Sequence, residues 1–416
     1  MNWLLKLTTD LGGNKLKTLE LALLALLVIA LPSLEAPKNV FLVFYVVVAL
    51  YRQISTKELH GWQFWDWLFL ALIGSALLSS IFAGITPGDE WKGFRVLVTY
   101  VGVGWLVSRA NYSKIEMSWI FGLAIIWVIP PLVWGYCQYL WLHTKHDLQL
   151  HSVGHVNHTA IYLTIIFGAT VGASLSLWQS SSLKIRIGLL SLSVFLLLSL
   201  IVGQSRGALG VGFLLAIILI ALLSKQAKTK WIALSILVLS SLLAVLLNVG
   251  IVQKEIVNQK NNDILSARDR VWNVSLEASR FYPLFGIGMD NWKLIKPEDI
   301  KKSVEKRHKT YDASRYYFAG HSHNLYLSTL VERGYLGLSV LLLLMFAWMR
   351  LLYQSVALTR KDTVAAFLWA GSLSAWMATF GIGTVNTTMH HEHGILAFLM
   401  LGLYLSYSRN LQSKLK

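Results

Sequence analysis

Residues 321–348, HSHNLYLSTLVERGYLGLSVLLLLMFAW, begin with polar side chains and end in an almost continuous apolar run. Such a run predicts an α-helix that enters a lipid bilayer, because a helix satisfies its own backbone hydrogen bonds where water is absent. Polar side chains at the mouth of a membrane helix are costly to keep there and often serve a function. The stretch therefore predicts a membrane helix with two histidines and an asparagine at its functional end.

Apolar segments of this kind recur along the whole chain. Hydrophobic residues make up 55% of the 416 residues and charged residues only 14%, which is outside the usual range of soluble domains. With about 20 apolar residues per crossing, the pattern predicts an all-α, polytopic helical membrane protein with about 12 transmembrane helices. We interpret residues 1–416 as one integral membrane domain. The predicted helix cores are 18–33, 40–51, 64–83, 92–108, 117–138, 158–178, 186–202, 208–224, 230–250, 328–349, 363–382 and 394–408.

The distribution of Lys and Arg orients these helices. With the N-terminus in the cytoplasm, the short connections on the inner side hold eighteen Lys and Arg residues and those on the outer side hold five. Positive residues accumulate on the cytoplasmic side of membrane proteins, so both termini are predicted to be cytoplasmic. The long hydrophilic segment, residues 251–322, then lies on the outer side together with the histidines of the opening stretch.

The net charge of the chain is +16, and it arises largely from this cytoplasmic excess. Anionic lipid headgroups attract basic residues next to membrane helices, so membrane lipids are the expected partner of these charges. A nucleic-acid partner is not expected.

The outer segment contains signals for two short helices. Ser266 and Asp269 have the spacing of a capping box, which predicts that a helix begins there. Its apolar residues keep roughly helical spacing and predict a face that lies on the membrane surface. Pro283 and the glycines that follow it predict where this helix ends. The charged run of residues 296–318 suggests a second helix, either a solvated lid or a cover over a site.

Arginines at the outer face are candidates for binding an anion. Arg206 lies in GQSRGALG between two apolar runs, where an arginine is expensive unless it is paired or serves an anion. The alternative is an interfacial arginine whose guanidinium reaches the headgroups. Arg268, in the outer segment, is weaker evidence by itself because loops contain many arginines. Arg95, at the outer start of the fourth helix, is a third candidate.

Three interpretations of the outer histidines remain open. Imidazole is a common zinc ligand, and a cluster would involve His321, His323, His390, His391 and His393. The histidines could instead be interfacial residues without a role. The third interpretation is a general base, because neutral imidazole can take a proton from a sugar hydroxyl near pH 7. Nearby arginines would lower the histidine pKa and keep the base neutral.

Three motifs, taken in order, resemble those of one family. They are SRGA after an apolar helix, SARDRVWNVSLEAS followed by YPLFGIG in the outer segment, and HSHNLYLSTLVERGYLG. Their order, spacing and helix layout are similar to the O-antigen ligase and polymerase superfamily across nearly the full chain. Arg206 matches the arginine of the family's outer S-R-G turn, Arg268 matches the one four residues before the loop tryptophan, and His323-Asn324 matches the family's histidine–asparagine pair.

The resemblance implies a glycosyltransferase of the Gram-negative inner membrane, with its active site on the periplasmic side. The implied reaction is that of an O-antigen ligase, which transfers O-antigen polysaccharide from undecaprenyl diphosphate to lipid A–core, with no cofactor. An O-antigen polymerase, which extends the same lipid-linked glycans, is the alternative within the superfamily. A polysaccharide-lipid transporter or flippase is the alternative from another class. It would bury its polar residues near the bilayer midplane, whereas here they gather at the outer rim.

The resemblance also implies roles for individual residues. His323 is the general base that takes the proton of the acceptor hydroxyl. Arg206 and Arg268, with Arg95 as a further candidate, bind the diphosphate through their forked guanidinium groups. No residue is assigned as a metal ligand.

Residues close to His323 are given supporting or structural roles. His321 is expected to matter less than His323, and Asn324 either orients His323 or caps the following helix. Nine residues separate His323 from Glu332, which is about 180° around a regular continuous helix. Glu332 is therefore predicted to be a structural partner for a neighbouring helix.

Overall fold

The computed structural model of the chain describes residues 14–151, 153–224, 226–246 and 267–413. Within these ranges the regular structure is helical and no strand occurs, which confirms the all-α fold class. Short π-helical turns follow α6 and α14. The α-helices in chain order are α1 (Lys15–Ala30), α2 (Glu35–Ser55), α3 (Phe64–Ile81), α4 (Glu90–Arg109), α5 (Lys114–Ile126), α6 (Ile129–Tyr136), α7 (Val156–Leu177), α8 (Leu183–Val202), α9 (Arg206–Leu223), α10 (Ala227–Leu246), α11 (Arg268–Ala278), α12 (Pro297–Lys306), α13 (Leu325–Thr359), α14 (Thr363–Trp376) and α15 (His391–Ser413).

Eight helical segments within the described ranges are long and apolar enough to cross a membrane. They are α2, α3, the α5–α6 segment, α7, α8, α9, α13 and α14 with its following turns. Each of the predicted cores overlaps a helix, but α1, α4, α10 and α15 do not meet this standard of length and composition. A multi-pass helical protein is therefore supported, while the number of about 12 crossings stays a prediction.

Buried charges at one end of the helix bundle are paired with each other. Arg52 on α2 forms an ion pair with Glu20 on α1, and both side chains are almost fully buried. The carboxylate of Asp66, at the start of α3, forms ion pairs with the guanidinium groups of Arg109, at 3.3 Å, and Arg409, at 3.1 Å. Pairing offsets the cost of removing these charges from water. These contacts join α1 to α2 and α3 to α4 and α15, at the end opposite to the outer segment.

The outer segment has a small apolar core of its own. Val271 and Val274 of α11 pack with Ile300 and Val304 of α12 and with Val331 of α13. The predicted second helix is thus confirmed as α12. Val271 and Val274 of α11 face this core, whereas Leu276 is exposed, so contact of α11 with the membrane surface stays a prediction. Packing against both α12 and α13 removes more of the apolar surface of α11 from water than contact on one side would.

The start of α11 differs in detail from its prediction. Ser266, the predicted N-cap, lies outside the described residues, as does the first part of the predicted loop, 251–266. The helix begins at Arg268, and its N-cap is Ala267, which has a φ of 58° and makes no side-chain capping bond. It ends at Ala278, ahead of Pro283, as predicted.

Helix α13 is interrupted at Gly334, whose φ of 63° and ψ of −166° are not helical. The loop after α11 enters the break and forms hydrogen bonds to the backbone on both sides of it. Ile287 donates its N–H to the carbonyl of Val331 at 2.9 Å, and Tyr335 donates to the carbonyl of Pro283 at 2.7 Å. Backbone groups that a broken helix leaves free are therefore paired with the loop, which satisfies the requirement for buried backbone.

The interruption divides α13 into two parts. The helix is not continuous through Gly334. The part after the break, from Tyr335 to Thr359, by itself exceeds the roughly 20 residues needed for a crossing. The part before the break joins the outer loop layer instead, through its hydrogen bonds to the loop after α11.

Candidate functional site

His323 lies immediately before α13 with a φ of 50°. A positive φ is uncommon for a residue with a side chain, and it turns the chain so that the next residue can cap the helix. Asn324 is that cap: its Oδ1 accepts the N–H groups of Tyr326 at 2.9 Å and Leu327 at 3.0 Å. Its Nδ2 donates to the carbonyl of Thr384 at 2.8 Å. The capping interpretation of Asn324 is confirmed, since both ends of its amide are bonded to backbone.

The imidazole of His323 is held in its neutral form. Burial lowers its pKa to about 4, with smaller contributions in the same direction from His321, Arg268 and His155. The ring centroids of His321 and His323 are 4.1 Å apart, and burial also lowers the pKa of His321. A lowered pKa was expected from nearby arginine; the direction agrees, but removal from water is the larger cause.

Asn386 is a contact of His323 that sequence reasoning missed. Its side chain is 3% exposed and forms a hydrogen bond with His323 that acts to raise the histidine pKa, against the larger lowering effects. The neighbouring residues tie the same two segments together, because Ser328 and Thr387 hydroxyls lie 3.4 Å apart. The sequence signal was the polar stretch VNTT between two apolar helices. Local propensity alone does not show which distant residues such a stretch contacts.

The two arginines predicted to bind diphosphate belong to two different helices that precede His323 in the chain. Arg268 begins α11, half-buried, and is close enough to His323 to lower its pKa. Arg206 begins α9, and the next residue, Gly207, packs so closely on Val385 that a Cβ there would lie 2.6 Å from it. Arg206 and His323 therefore both border the segment between α14 and α15.

A cavity of about 290 Å³ opens beside the histidine pair. It is lined by residues from the start of α4, the loop after α11, the two parts of α13 and the segment before α15, and His321 is among them. Lys92 of α4 lines the cavity, whereas Arg95, three residues later, is exposed and is not part of the lining. None of the three predicted clamp residues, Arg95, Arg206 and Arg268, belongs to the described lining of this cavity.

Glu332 and Arg333 also line this cavity, just before the break in α13. The angular argument that turned Glu332 away from His323 fails because His323 precedes the helix and is not part of it. Arg333 is 5% exposed; its Nη2 donates to the hydroxyl of Ser75 at 2.5 Å. Its Nε has no hydrogen-bond partner within the described residues. Sequence reasoning gave Arg333 no role.

Further histidines lie at the same cavity, since His158 and His390 belong to its lining together with His321. The ring of His158, on α7, lies 5.7 Å from that of His390 and 5.1 Å from that of His393. In the part of the chain that the structure describes, no three His, Cys, Asp or Glu side chains are arranged to hold a metal ion. The side chain of His391 lies outside that part. The zinc interpretation gains no support from this arrangement, and metal-independent chemistry stays a prediction.

Comparison with known families places these residues in context. Residues 191–342 match the model of the family described as O-antigen ligase. The matched region holds Arg206, Arg268, His323 and both charged residues before the break in α13. A search of curated proteins found no match. The resemblance drawn from the three sequence motifs is confirmed by the family match at the level of the superfamily.

Proposed function

From the match of residues 191–342 to the O-antigen ligase family, we propose that this protein is a glycosyltransferase of the Gram-negative inner membrane. It transfers O-antigen polysaccharide from undecaprenyl diphosphate to a sugar hydroxyl of lipid A–core on the periplasmic side. The observation that supports the proposal most directly is the environment of the His323 side chain. A half-buried, neutral imidazole lies next to Arg268 and to a cavity whose lining carries several polar side chains. Such a base beside a cation suits the attack of a hydroxyl on a sugar diphosphate.

In this reaction His323 acts as the general base. It accepts the proton of the acceptor hydroxyl while the hydroxyl oxygen attacks the anomeric carbon of the donor sugar. The bond between that carbon and the diphosphate oxygen breaks, and its electron pair leaves with undecaprenyl diphosphate. One displacement inverts the anomeric centre, and the imidazolium afterwards releases its proton to water. A sugar diphosphate already has a good leaving group, so the step needs neither a nucleotide nor a cofactor.

Arg206 and Arg268 bind the diphosphate and stabilise the negative charge that grows on it as the bond breaks. Each stands at the first position of a helix, where the positive end of the helix dipole also favours an anion. Lysine would keep the charge but lose the forked geometry that fits two phosphate oxygens.

Donor binding also prepares the base. The free protein keeps the pKa of His323 at about 4, so the imidazole is neutral at physiological pH. A bound diphosphate adds negative charge beside Arg268, and a nearby negative charge raises an imidazole pKa. The base is therefore unprotonated before the donor arrives and becomes stronger once the donor is in place.

The test is transfer by the purified protein. Undecaprenyl-diphosphate-linked glycan and lipid A–core are supplied without nucleotide and with excess EDTA, and the product is followed as a shift of lipid A–core on a gel. We expect transfer, its loss in His323→Ala, and its retention in His308→Ala. His308 is a suitable control because it lies in the same loop, has a φ of 58° and is exposed.

Two results would contradict the proposal. Longer lipid-linked glycan with unmodified lipid A–core would identify a polymerase, which uses the same donor with another acceptor. Movement of the donor across the bilayer of sealed vesicles without any transfer would identify a transporter or flippase. Dependence of transfer on added zinc after EDTA treatment would overturn the metal-independent mechanism and return His390, His391 and His393 to consideration as ligands.

A further inference from the structure

We infer that the cavity beside His321 binds the acceptor sugar, and that Glu332 and Arg333 hold its hydroxyl groups. The inference rests on the proposed function and adds to it the place and the recognition of the acceptor. It assigns binding roles to two residues that neither the sequence motifs nor the general-base mechanism requires.

The position of the cavity is the first reason. A general base must lie within hydrogen-bond reach of the proton that it takes, so the sugar that bears the attacking hydroxyl has to be next to His323. The cavity is lined by His321, whose ring centroid is 4.1 Å from that of His323. Neither Arg206 nor Arg268 belongs to the described lining, so this space is separate from the diphosphate contacts.

The chemistry of the lining is the second reason. A sugar hydroxyl both donates and accepts hydrogen bonds, so its site needs acceptors as well as donors. Arg333 supplies a guanidinium, and Glu332 supplies a carboxyl group whose pKa burial raises to about 8, so that it can donate as well as accept a hydrogen bond. The hydroxyl side chains of Ser328, Thr329 and Thr387 belong to the same lining. A small number of directed polar groups among apolar walls is typical of sites for small ligands.

The state of Arg333 is the third reason. Within the described residues its guanidinium forms no ion pair shorter than 4 Å, and its Nε lacks a hydrogen-bond partner, although the residue is 5% exposed. A buried arginine in this condition is unfavourable unless a ligand completes its contacts. The lining holds Lys92 and Lys293 as well as Asp290, so competition by pyrophosphate is the direct test of a phosphate in place of a sugar.

The backbone keeps Glu332 in place. Its carbonyl oxygen accepts the N–H of Gly288 at 3.1 Å and the hydroxyl of Ser79 at 2.8 Å. The stem of Arg333 fits against Gly337, where a Cβ would lie 2.2 Å from the Cβ of the arginine. The interruption of α13 and the absence of a side chain at Gly337 thus fix both groups before any ligand binds, which reduces the entropy lost on binding.

The experiment compares the kinetic constants for the two substrates. Glu332→Gln and Arg333→Lys are each expected to raise the KM for lipid A–core by about tenfold, since each is expected to lose roughly one hydrogen bond to the sugar. The KM for the lipid-linked donor is expected to stay within about twofold of its wild-type value. Glu305→Gln and Arg315→Lys, at exposed positions of the same loop, serve as matched controls and should change neither constant.

A binding measurement keeps the inference testable if a variant has little activity. Core oligosaccharide, released from lipid A–core by mild acid, is titrated against the purified protein while tryptophan fluorescence is recorded. Both variants should bind it about tenfold more weakly than wild type. If Glu332→Gln does not fold, Thr387→Val, which changes another group of the lining, is expected to weaken binding by a smaller factor.

The outcomes separate this inference from the proposed function. Transfer by wild type to lipid A–core tests the proposed function and does not depend on the variants. If wild type extends lipid-linked glycan instead, the same comparison of KM values is made with that glycan as the acceptor. An unchanged acceptor KM in both variants, a changed donor KM alone, or competition by inorganic pyrophosphate at this cavity would overturn the acceptor-sugar assignment.

Discussion

A Cβ atom at Gly334 would lie 2.3 Å from the carbonyl oxygen of Leu284. This close approach of α13 to the loop after α11 is possible only because residue 334 has no side chain. Its φ of 63° is also a conformation that glycine adopts without the steric cost paid by other residues. The contact sets where the loop enters the helix, and through it the positions of Glu332 and Arg333 on one side of the break.

Gly334→Ala is therefore expected to destabilise the protein. The alanine adds strain at a positive φ and a clash with backbone, which together should cost at least about 2 kcal/mol. Thermal unfolding of the purified variant in detergent measures the loss, and transfer activity should fall with it. Gly122→Ala is the control, because a Cβ at that helical position meets nothing within 4 Å. Equal melting temperatures for the two variants would contradict the role given to Gly334.

His323→Ala is expected to lower the rate of transfer by at least about 100-fold, since general-base catalysis contributes roughly that factor or more. His321→Ala should have a smaller effect, because His321 lies beside the base and on the cavity wall. Initial rates at saturating donor and acceptor give the comparison. A larger loss in His321→Ala than in His323→Ala would show that the wrong imidazole has been assigned as the base.

The pH dependence of transfer follows from the low pKa of His323. The neutral imidazole is the active form, so kcat/KM for the free enzyme should be level at neutral pH and fall as the pH drops through about 4. The free energy of unfolding also decreases as the pH falls. The unfolded state binds the proton near pH 6.5 and the folded state near pH 4, so the histidine destabilises the fold as pH falls between these values.

Asn386→Asp tests the contact that holds the imidazole. An aspartate of the same shape places a negative charge beside His323 and should move the acid limb of kcat/KM upward by roughly 1 to 2 pH units. Asn386→Ala removes the hydrogen bond that raises the pKa of His323. It should therefore lower the pH at which kcat/KM falls on the acid side. Asn273→Asp, in α11, is the control. Identical pH profiles for all three variants would exclude a direct contact between residue 386 and the base.

Arg206→Lys and Arg268→Lys are each expected to weaken donor binding by about tenfold or more, because lysine cannot make two parallel hydrogen bonds to a phosphate. Binding of the lipid-linked glycan to each purified variant measures this directly. Arg280→Lys, at an exposed position after α11, should bind the donor as wild type does. Arg95→Lys should have the smallest effect of the predicted clamp residues, since Arg95 is exposed whereas Arg206 and Arg268 are half-buried. Unchanged donor affinity in the first two variants would remove the diphosphate role.

Local features of the chain were predictable because local physics decides them. Long apolar runs form helices wherever water is excluded, since each helix pairs its own backbone groups. Asn324 caps α13 because an asparagine side chain reaches the first free N–H groups of the helix that it precedes. The end of α11 before Pro283 and the helical form of residues 297–306 have equally local causes. The order of the arginine and histidine motifs was likewise enough to indicate the superfamily.

Only the tertiary structure decided how the site is assembled. The break at Gly334 depends on hydrogen bonds from a loop about 50 residues away along the chain. A single glycine in an apolar helix gives no sequence signal for such a distant partner. Arg333 enters a cavity, and Asn386 reaches His323, because distant segments fold beside them. The pKa of His323 is low chiefly because of burial. Burial is a property of the packed chain, so neither the histidine nor its neighbours in sequence determine it.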